Sequence, residues 1–138
     1  EIKNHNVRKT YYAVVEGKVD KKGTFIDKLL KDEKTNFVRV SDKGKEAKLE
    51  YELICYKNNY SLVKINLITG RSHQIRVQFS SRGYPLYGDQ RYNKKDKNQI
   101  ALFSSSIEFT HPVTKEHLTI SYNLPNRFPF TLFNYMVK

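Results

Sequence analysis

The chain is 138 residues long, one domain's worth of polypeptide, and its 38% hydrophobic and 13% aromatic residues run along the whole length, which excludes a disordered tail or a low-complexity protein. Lysine and arginine total 25 against 14 acidic residues, and the resulting net charge of +11 makes a polyanion the first partner to consider. No apolar run approaches the roughly 20 residues of a membrane span, Cys55 is the single cysteine and cannot form an internal disulfide, and no secretory leader is visible, so a reducing cytoplasm is the expected compartment, with no membrane partner.

In chain order, Lys9 to Glu16 (KTYYAVVE) is β-branched and aromatic and stops at Gly17, the pattern of a strand ending in a turn. Short strands are expected around Thr24 to Asp27 and Asn36 to Val40, the latter followed by the polar turn Ser41 to Lys45. Leu49 to Tyr56 alternates, which predicts Leu49, Tyr51, Leu53 and Cys55 on one face. Tyr60 to Ile68 alternates too, with Val63, Ile65 and Leu67 together, and the Lys57-Asn58-Asn59 step predicts a hairpin between the two. After Gly70 the period changes: Ser72 is placed to cap a helix whose Ile75 and Phe79 face the core, whose Arg76 projects away from that face, and which ends at Gly83. Leu102 to Phe109 and Leu118 to Tyr122 read as strands around the turn His111 to Thr114, and Pro129 to Val137 as a short helix. No internal repeat or linker interrupts residues 1–138, so the expectation is one α+β domain, an antiparallel-rich mixed sheet with a few short helices.

The four histidines have no zinc-ligand spacing and only one cysteine to join them, and the six glycines form neither a dinucleotide-binding nor a Walker loop, so neither metal nor cofactor is expected. Cys55, mid-strand among apolar neighbours, reads as a buried structural cysteine. Lysine clusters such as Lys43/Lys45/Lys48 and Lys94/Lys95/Lys97 either contact phosphates or keep loops solvated. The ten tyrosines and eight phenylalanines offer stacking surfaces for unpaired bases, which favours nucleic acid as the partner. The segment Leu67 to Arg76 (LITGRSHQIR) concentrates a glycine, two arginines, a histidine and a glutamine at a strand-to-helix junction. Two readings stand there: an anion site for RNA phosphate or a carboxylate, or solvated arginines beside capping residues.

These motifs carry a resemblance. Thr69 to Arg76 (TGRSHQIR), Lys9 to Gly17 (KTYYAVVEG), Gly83 to Tyr92 (GYPLYGDQRY), Ile100 to Ser104 and Phe109 to Pro112 stand in the order found in the RluA-type family of RNA pseudouridine synthases, which the chain resembles from Lys9 to about Phe130. The resemblance implies a pseudouridine-synthase-like catalytic domain: an isomerase that converts uridine to pseudouridine in structured RNA, in rRNA or tRNA processing, without cofactor or metal. The target base leaves its stack for a pocket, an aspartate attacks the ribose or assists its deprotonation, and the detached uracil turns and rejoins through C5. By position, Tyr11 matches the tyrosine that stacks on the base and serves as general base, Arg71 the arginine that pairs with the catalytic aspartate, and Leu102 an apolar residue at the uracil pocket. His73, Gln74, Arg76, Lys94 and Lys95 are the candidate RNA contacts.

The sequence departs from that family at one decisive place. The nucleophile belongs to a His-Arg-Leu-Asp segment well upstream of the tyrosine strand, and the ten residues before Tyr11 contain no aspartate. Phe103, Ser104 and Gln78 are lesser departures, at positions where the family often has histidine, alanine and histidine. The expectation is therefore the C-terminal portion of a catalytic domain, N-terminally incomplete and inactive by itself. The alternatives are a non-catalytic RNA-binding module of the same fold and an unrelated basic β-rich domain. Tyr11 and Arg71 are expected to line one cleft under the first two readings, and a truncated sheet is expected to leave the Thr10 to Val15 strand as an unpaired edge that promotes self-association.

Overall fold

A computed structural model describes residues 7–92, 99–110, 117–121 and 125–133. The described strands are β1 (Val7–Glu16), β2 (Lys22–Lys31), β3 (Val38–Val40), β4 (Lys45–Lys57), β5 (Tyr60–Leu67), β6 (Leu102–Thr110) and β7 (His117–Ser121), with one helix, α1 (Gln74–Ser80), and a 3₁₀ turn at Phe130–Phe133. They form a seven-stranded sheet in the order β3-β2-β4-β5-β1-β6-β7. Every pairing among them is antiparallel, so the expected mixed sheet is corrected to an antiparallel one. Three successive strand pairs, β2–β3, β4–β5 and β6–β7, are hairpin neighbours with short connections, whereas a parallel pair needs a crossover of a dozen or more residues.

Each sheet face has its own core. Ala13, Val15, Leu49, Val63 and Ile65 gather on one face under Ile75 and Phe79 of α1, where Phe25, Tyr51 and Phe79 meet edge-on or tilted. Val14 and Leu62 point the other way, onto Ala101, Phe130 and Phe133. A third cluster, Leu29, Val38 and Ala47, packs under Val77 of α1. The β4–β5 hairpin turns through Asn58 and Asn59, at φ 54° and 66°. Two successive left-handed residues match the twist of antiparallel strands, and asparagine is among the side chains that tolerate them.

Several expectations need revision. β2 is ten residues long, because exposed residues on its outer face hide an alternation that buries Phe25 and Leu29 against β4. A register shift between Leu53 and Cys55 breaks the single face expected for β4: Leu53 stays with the α1-side core, while Cys55 is half-buried against the opposite cluster. One extra residue in a bulge moves everything after it to the other face. The helix starts at Gln74, preceded by His73 at φ 52° with no side-chain cap, so Ser72 is not the cap. It ends at Ser80, short of Gly83, and the chain closes through Gly83 N–H on the Ser80 carbonyl and Tyr84 N–H on that of Phe79. Ile75 and Phe79 are buried as expected. The expected turn at His111 to Thr114 lies outside the described residues.

The expected exposed edge at Thr10 to Val15 is absent. β5 pairs along one side of β1, and β6 pairs with Val7–Ala13 along the other. Beyond β6, Val14 N–H donates to the Ala101 carbonyl, Tyr87 N–H to the Val14 carbonyl and Glu16 N–H to the Pro85 carbonyl. The loop after α1 thus finishes the sheet, and the premise for self-association through that strand falls away. Gly88 fixes this loop: it sits at φ 77°, and a Cβ there would overlap the Gln99 backbone. Gly88→Ala is expected to cost at least about 1–3 kcal/mol in urea unfolding. Gly70→Ala, with open space around the position, is expected to shift the midpoint little.

Candidate active site

Tyr11 is half-buried on β1, on the α1 side of the sheet, in register with Ile65 of β5. The β1–β6 register shifts between Thr10 and Tyr11, and such a bulge re-aims a side chain relative to its strand. Leu102 opens β6 opposite Ala13 and packs on the same cluster as Tyr11, as do Ile100 and Leu67. The fold therefore brings Tyr11 and Leu102 to one face. Ile100, packed on that same core cluster, also lines a shallow cleft with His73, Arg76, Gln90, Arg91 and Gln99.

The turn after β5 is held by Gln74. Its buried side chain accepts from the Thr69 hydroxyl at 2.8 Å and the Arg71 N–H at 2.9 Å, and donates to the Lys48 carbonyl at 3.0 Å. Thr69 Oγ1 accepts in turn from the Lys48 N–H at 2.9 Å. Gln74 thus staples the 69–74 turn to β4. Arg71 is exposed, and its Nε donates to the Glu46 carbonyl at 2.9 Å. Glu46 is five positions along β4 from Tyr51, the residue two strands across from Tyr11, so the backbones of Glu46 and Tyr11 lie roughly 20 Å apart. Arg71 lines a different cleft, with Lys31, Lys43 and Lys45, and Tyr11 is not among its walls.

Arg76 reaches Asp89, which is fully buried, with Nε–Oδ2 at 3.1 Å and Nη2–Oδ1 at 2.7 Å. Oδ1 also accepts from the Arg91 and Tyr92 N–H groups. This bidentate pair ties α1 to the loop that completes β1. His73 Nδ1 lies 2.8 Å from the Tyr92 hydroxyl, which accepts from the Val38 N–H. Desolvation, with the positive charges of Arg76, Arg91 and Lys31, lowers the His73 pKa against the opposing pull of Asp89. In the unfolded chain the imidazole takes its proton near pH 6.5, before the folded one does. The unfolded state then binds more protons, so stability is full above pH 6.5 and falls as pH drops through that value toward the folded pKa. His73→Asn, which tolerates the left-handed backbone, is expected to flatten the dependence of the urea midpoint on pH in that window. Lys94 and Lys95 lie outside the described residues.

The family model described as RNA pseudouridylate synthase matches residues 1–81. The chain belongs to that family. It is 36% identical over 122 residues to a Bacillus subtilis protein named Uncharacterized RNA pseudouridine synthase YhcT, covering 84% of this chain and 40% of that protein. It is 32% identical over 131 residues to Ribosomal large subunit pseudouridine synthase C of Vibrio vulnificus, covering 88% of this chain and 42% of that protein. The chain thus spans about two fifths of the length of these curated relatives. A human structure, RNA Pseudouridylate Synthase Domain Containing 1, shares the fold with a TM-score of 0.75 at 19% identity, covering 93% of this chain and 58% of that one.

The described aspartates serve other ends. Asp89 holds Arg76, Asp27 holds Arg82 at 2.7 Å, and Asp32 accepts from the Lys34 N–H in a turn. Asp20 and Asp42 are exposed, and Asp96 lies outside the described residues. No described aspartate hydrogen-bonds to Tyr11. Gln78 is buried and donates to Asp27 Oδ2 at 2.9 Å. The sequence reading missed the Asp89 anchor and the basic cleft at Arg71. Aspartate after glycine in Gly83–Tyr92 was the visible signal for the anchor; the cleft forms only when the β2–β3 hairpin folds beside the 70–72 turn.

Proposed function

We propose that this chain is the C-terminal portion of a pseudouridine synthase catalytic domain that isomerises uridine in structured rRNA or tRNA in the cytoplasm. The reaction breaks the C1′–N1 glycosidic bond, forms C1′–C5, and moves the C5 proton off the base while N1 gains one, so nothing is gained or lost overall. Tyr11 stacks on the flipped base and takes the C5 proton, and Leu102 packs against the uracil. The observation that carries the reading is that Tyr11 and Leu102 pack on one face of the sheet, against the same core cluster as Ile100, which itself lines a cleft with His73, Arg76 and Arg91. The nucleophilic aspartate comes from a segment outside this sequence, and Arg71 pairs with it. Arg71 then exchanges the Glu46 carbonyl for a carboxylate, a change favoured because a charge-assisted pair is roughly twice as strong as a neutral hydrogen bond. An ion pair at about 4 Å would keep that aspartate ionised, as a nucleophile requires.

On this reading the 138 residues alone bind RNA but do not isomerise it. A second reading, a non-catalytic RNA-binding module, is favoured by one fact: no described aspartate hydrogen-bonds to Tyr11. The intact mass of the protein from its own cell separates the two. A mass well above 16.3 kDa, with an aspartate-bearing segment upstream, is the expected result; a mass near 16.3 kDa selects the binding module.

A further inference from the structure

Gln74 is 2% exposed, too little to meet RNA, yet its side chain closes a ring of hydrogen bonds around the turn that carries Arg71. Two partners that can act in only one way set the orientation of its amide. The Arg71 N–H must donate, so Oε1 faces it, and the Lys48 carbonyl must accept, so Nε2 faces that. The Thr69 hydroxyl completes the ring, accepting from the Lys48 N–H and donating to Gln74 Oε1. The main chain adds a second hold, since the Gln74 N–H donates to the Arg71 carbonyl at 3.2 Å. Both backbone polar groups of Arg71 are thus bonded to one residue, and through it to β4. Unpairing any of these buried groups costs the full desolvation of the partner left behind, so the turn has little freedom to shift.

The Arg71 side chain is held far less. It is exposed, and among the described residues its hydrogen bond is the one from Nε to the Glu46 carbonyl, two residues along β4 from Lys48. A fixed root with a movable guanidinium suits a residue that must exchange a carbonyl for an incoming carboxylate. We propose that Gln74 is a positioning residue for the isomerisation, fixing the root of Arg71 so that the guanidinium meets the catalytic aspartate. The assignment rests on the synthase reading above and deepens it. Gln74 itself touches neither substrate nor reacting atoms.

The test compares Gln74→Met with Gln78→Met in the protein as its cell makes it. Methionine is close to glutamine in length and has no amide. Gln78 is a buried glutamine one turn along α1, bonded instead to Asp27 and the Ala47 carbonyl. Single-turnover rates at saturating RNA are followed against pH. The aspartate acts in its ionised form, so the rate falls as pH drops through its pKa, and a well-placed Arg71 keeps that acid limb low. Gln74→Met is expected to lower the rate about 100-fold, as for a misplacement of about 1 Å. It is also expected to move the acid limb up by about one pH unit, with RNA affinity near the parent value. Gln78→Met is expected to leave the limb where the parent has it. Thr69→Val breaks the ring at the hydroxyl and is expected to move the limb in the same direction by less; thermal melts show which variants are folded, and Thr69→Val carries the test if Gln74→Met is not. An acid limb at the parent position in the folded variant would overturn the positioning role and leave the synthase reading standing. An equal shift in Gln78→Met would overturn it as well, since loss of any buried amide of α1 would then suffice. RNA binding without turnover by the parent protein would overturn the synthase reading and the positioning role with it.

Discussion

Tyr11→Phe in the protein as its cell makes it is expected to lower the single-turnover rate of isomerisation by about 10²–10⁴-fold, the range contributed by a positioned general base. The ring is retained, so stacking and RNA affinity are expected to stay near the parent values. A loss confined to the chemical step, with affinity unchanged, marks an interaction made in the transition state. Tyr11 suits this part because it is half-buried and packs against the apolar core on the same face as Leu102. Tyr11→Ala would remove both functions and is expected to weaken RNA binding as well, by about 1–3 kcal/mol if one base stacks on the ring. If Tyr11→Phe turns over within a few-fold of the parent while Tyr11→Ala fails, the tyrosine only stacks and the proton is taken elsewhere.

Arg76→Met is expected to be the most destabilising single change at the candidate site. It leaves the fully buried Asp89 carboxylate without its counter-ion, and breaking a buried pair from one side costs about 3–5 kcal/mol. The Arg91 and Tyr92 N–H groups remain on Asp89, which places the expected value near the lower end, about 3 kcal/mol, or a fall of roughly 10 °C in Tm. Arg82→Met provides the contrast. Arg82 and Asp27 are both partly exposed, so that pair resembles a surface bridge, and about 1 kcal/mol or less is expected. Urea unfolding of the two variants measures the difference. If Arg76→Met leaves stability near that of the parent and instead lowers RNA affinity, Arg76 is an RNA contact, and its pairing with Asp89 contributes little to the fold.

Much of the sheet was legible because alternation is local. Val63, Ile65 and Leu67 declared their shared face, and the two asparagines at 58 and 59 declared the turn that joins β4 to β5. The extra residue between Leu53 and Cys55 was not legible, because a bulge changes register without changing composition. Ser72 looked like a cap by residue type, yet the left-handed turn at His73 moved the helix start beyond it. At the site, Tyr11 could be singled out only by resemblance, since nothing in its neighbours' chemistry sets it apart from Tyr12. The partner of Arg76 lies thirteen residues away across a loop, and the walls of the Arg71 cleft come from the hairpin and two separate turns. Such groupings are set by tertiary packing, which residue spacing along one segment does not reveal.

Isomerisation of uridine at the assembled site is tested by release of tritium from RNA labelled at C5 of uridine, incubated with the protein purified from its own cell, since forming the new C–C bond at C5 must expel that hydrogen. One tritium is expected per uridine isomerised, with none released by the 138 residues alone. Binding of the same RNA by the native protein, with no tritium released, would rule out isomerisation and leave a binding module built on a synthase fold.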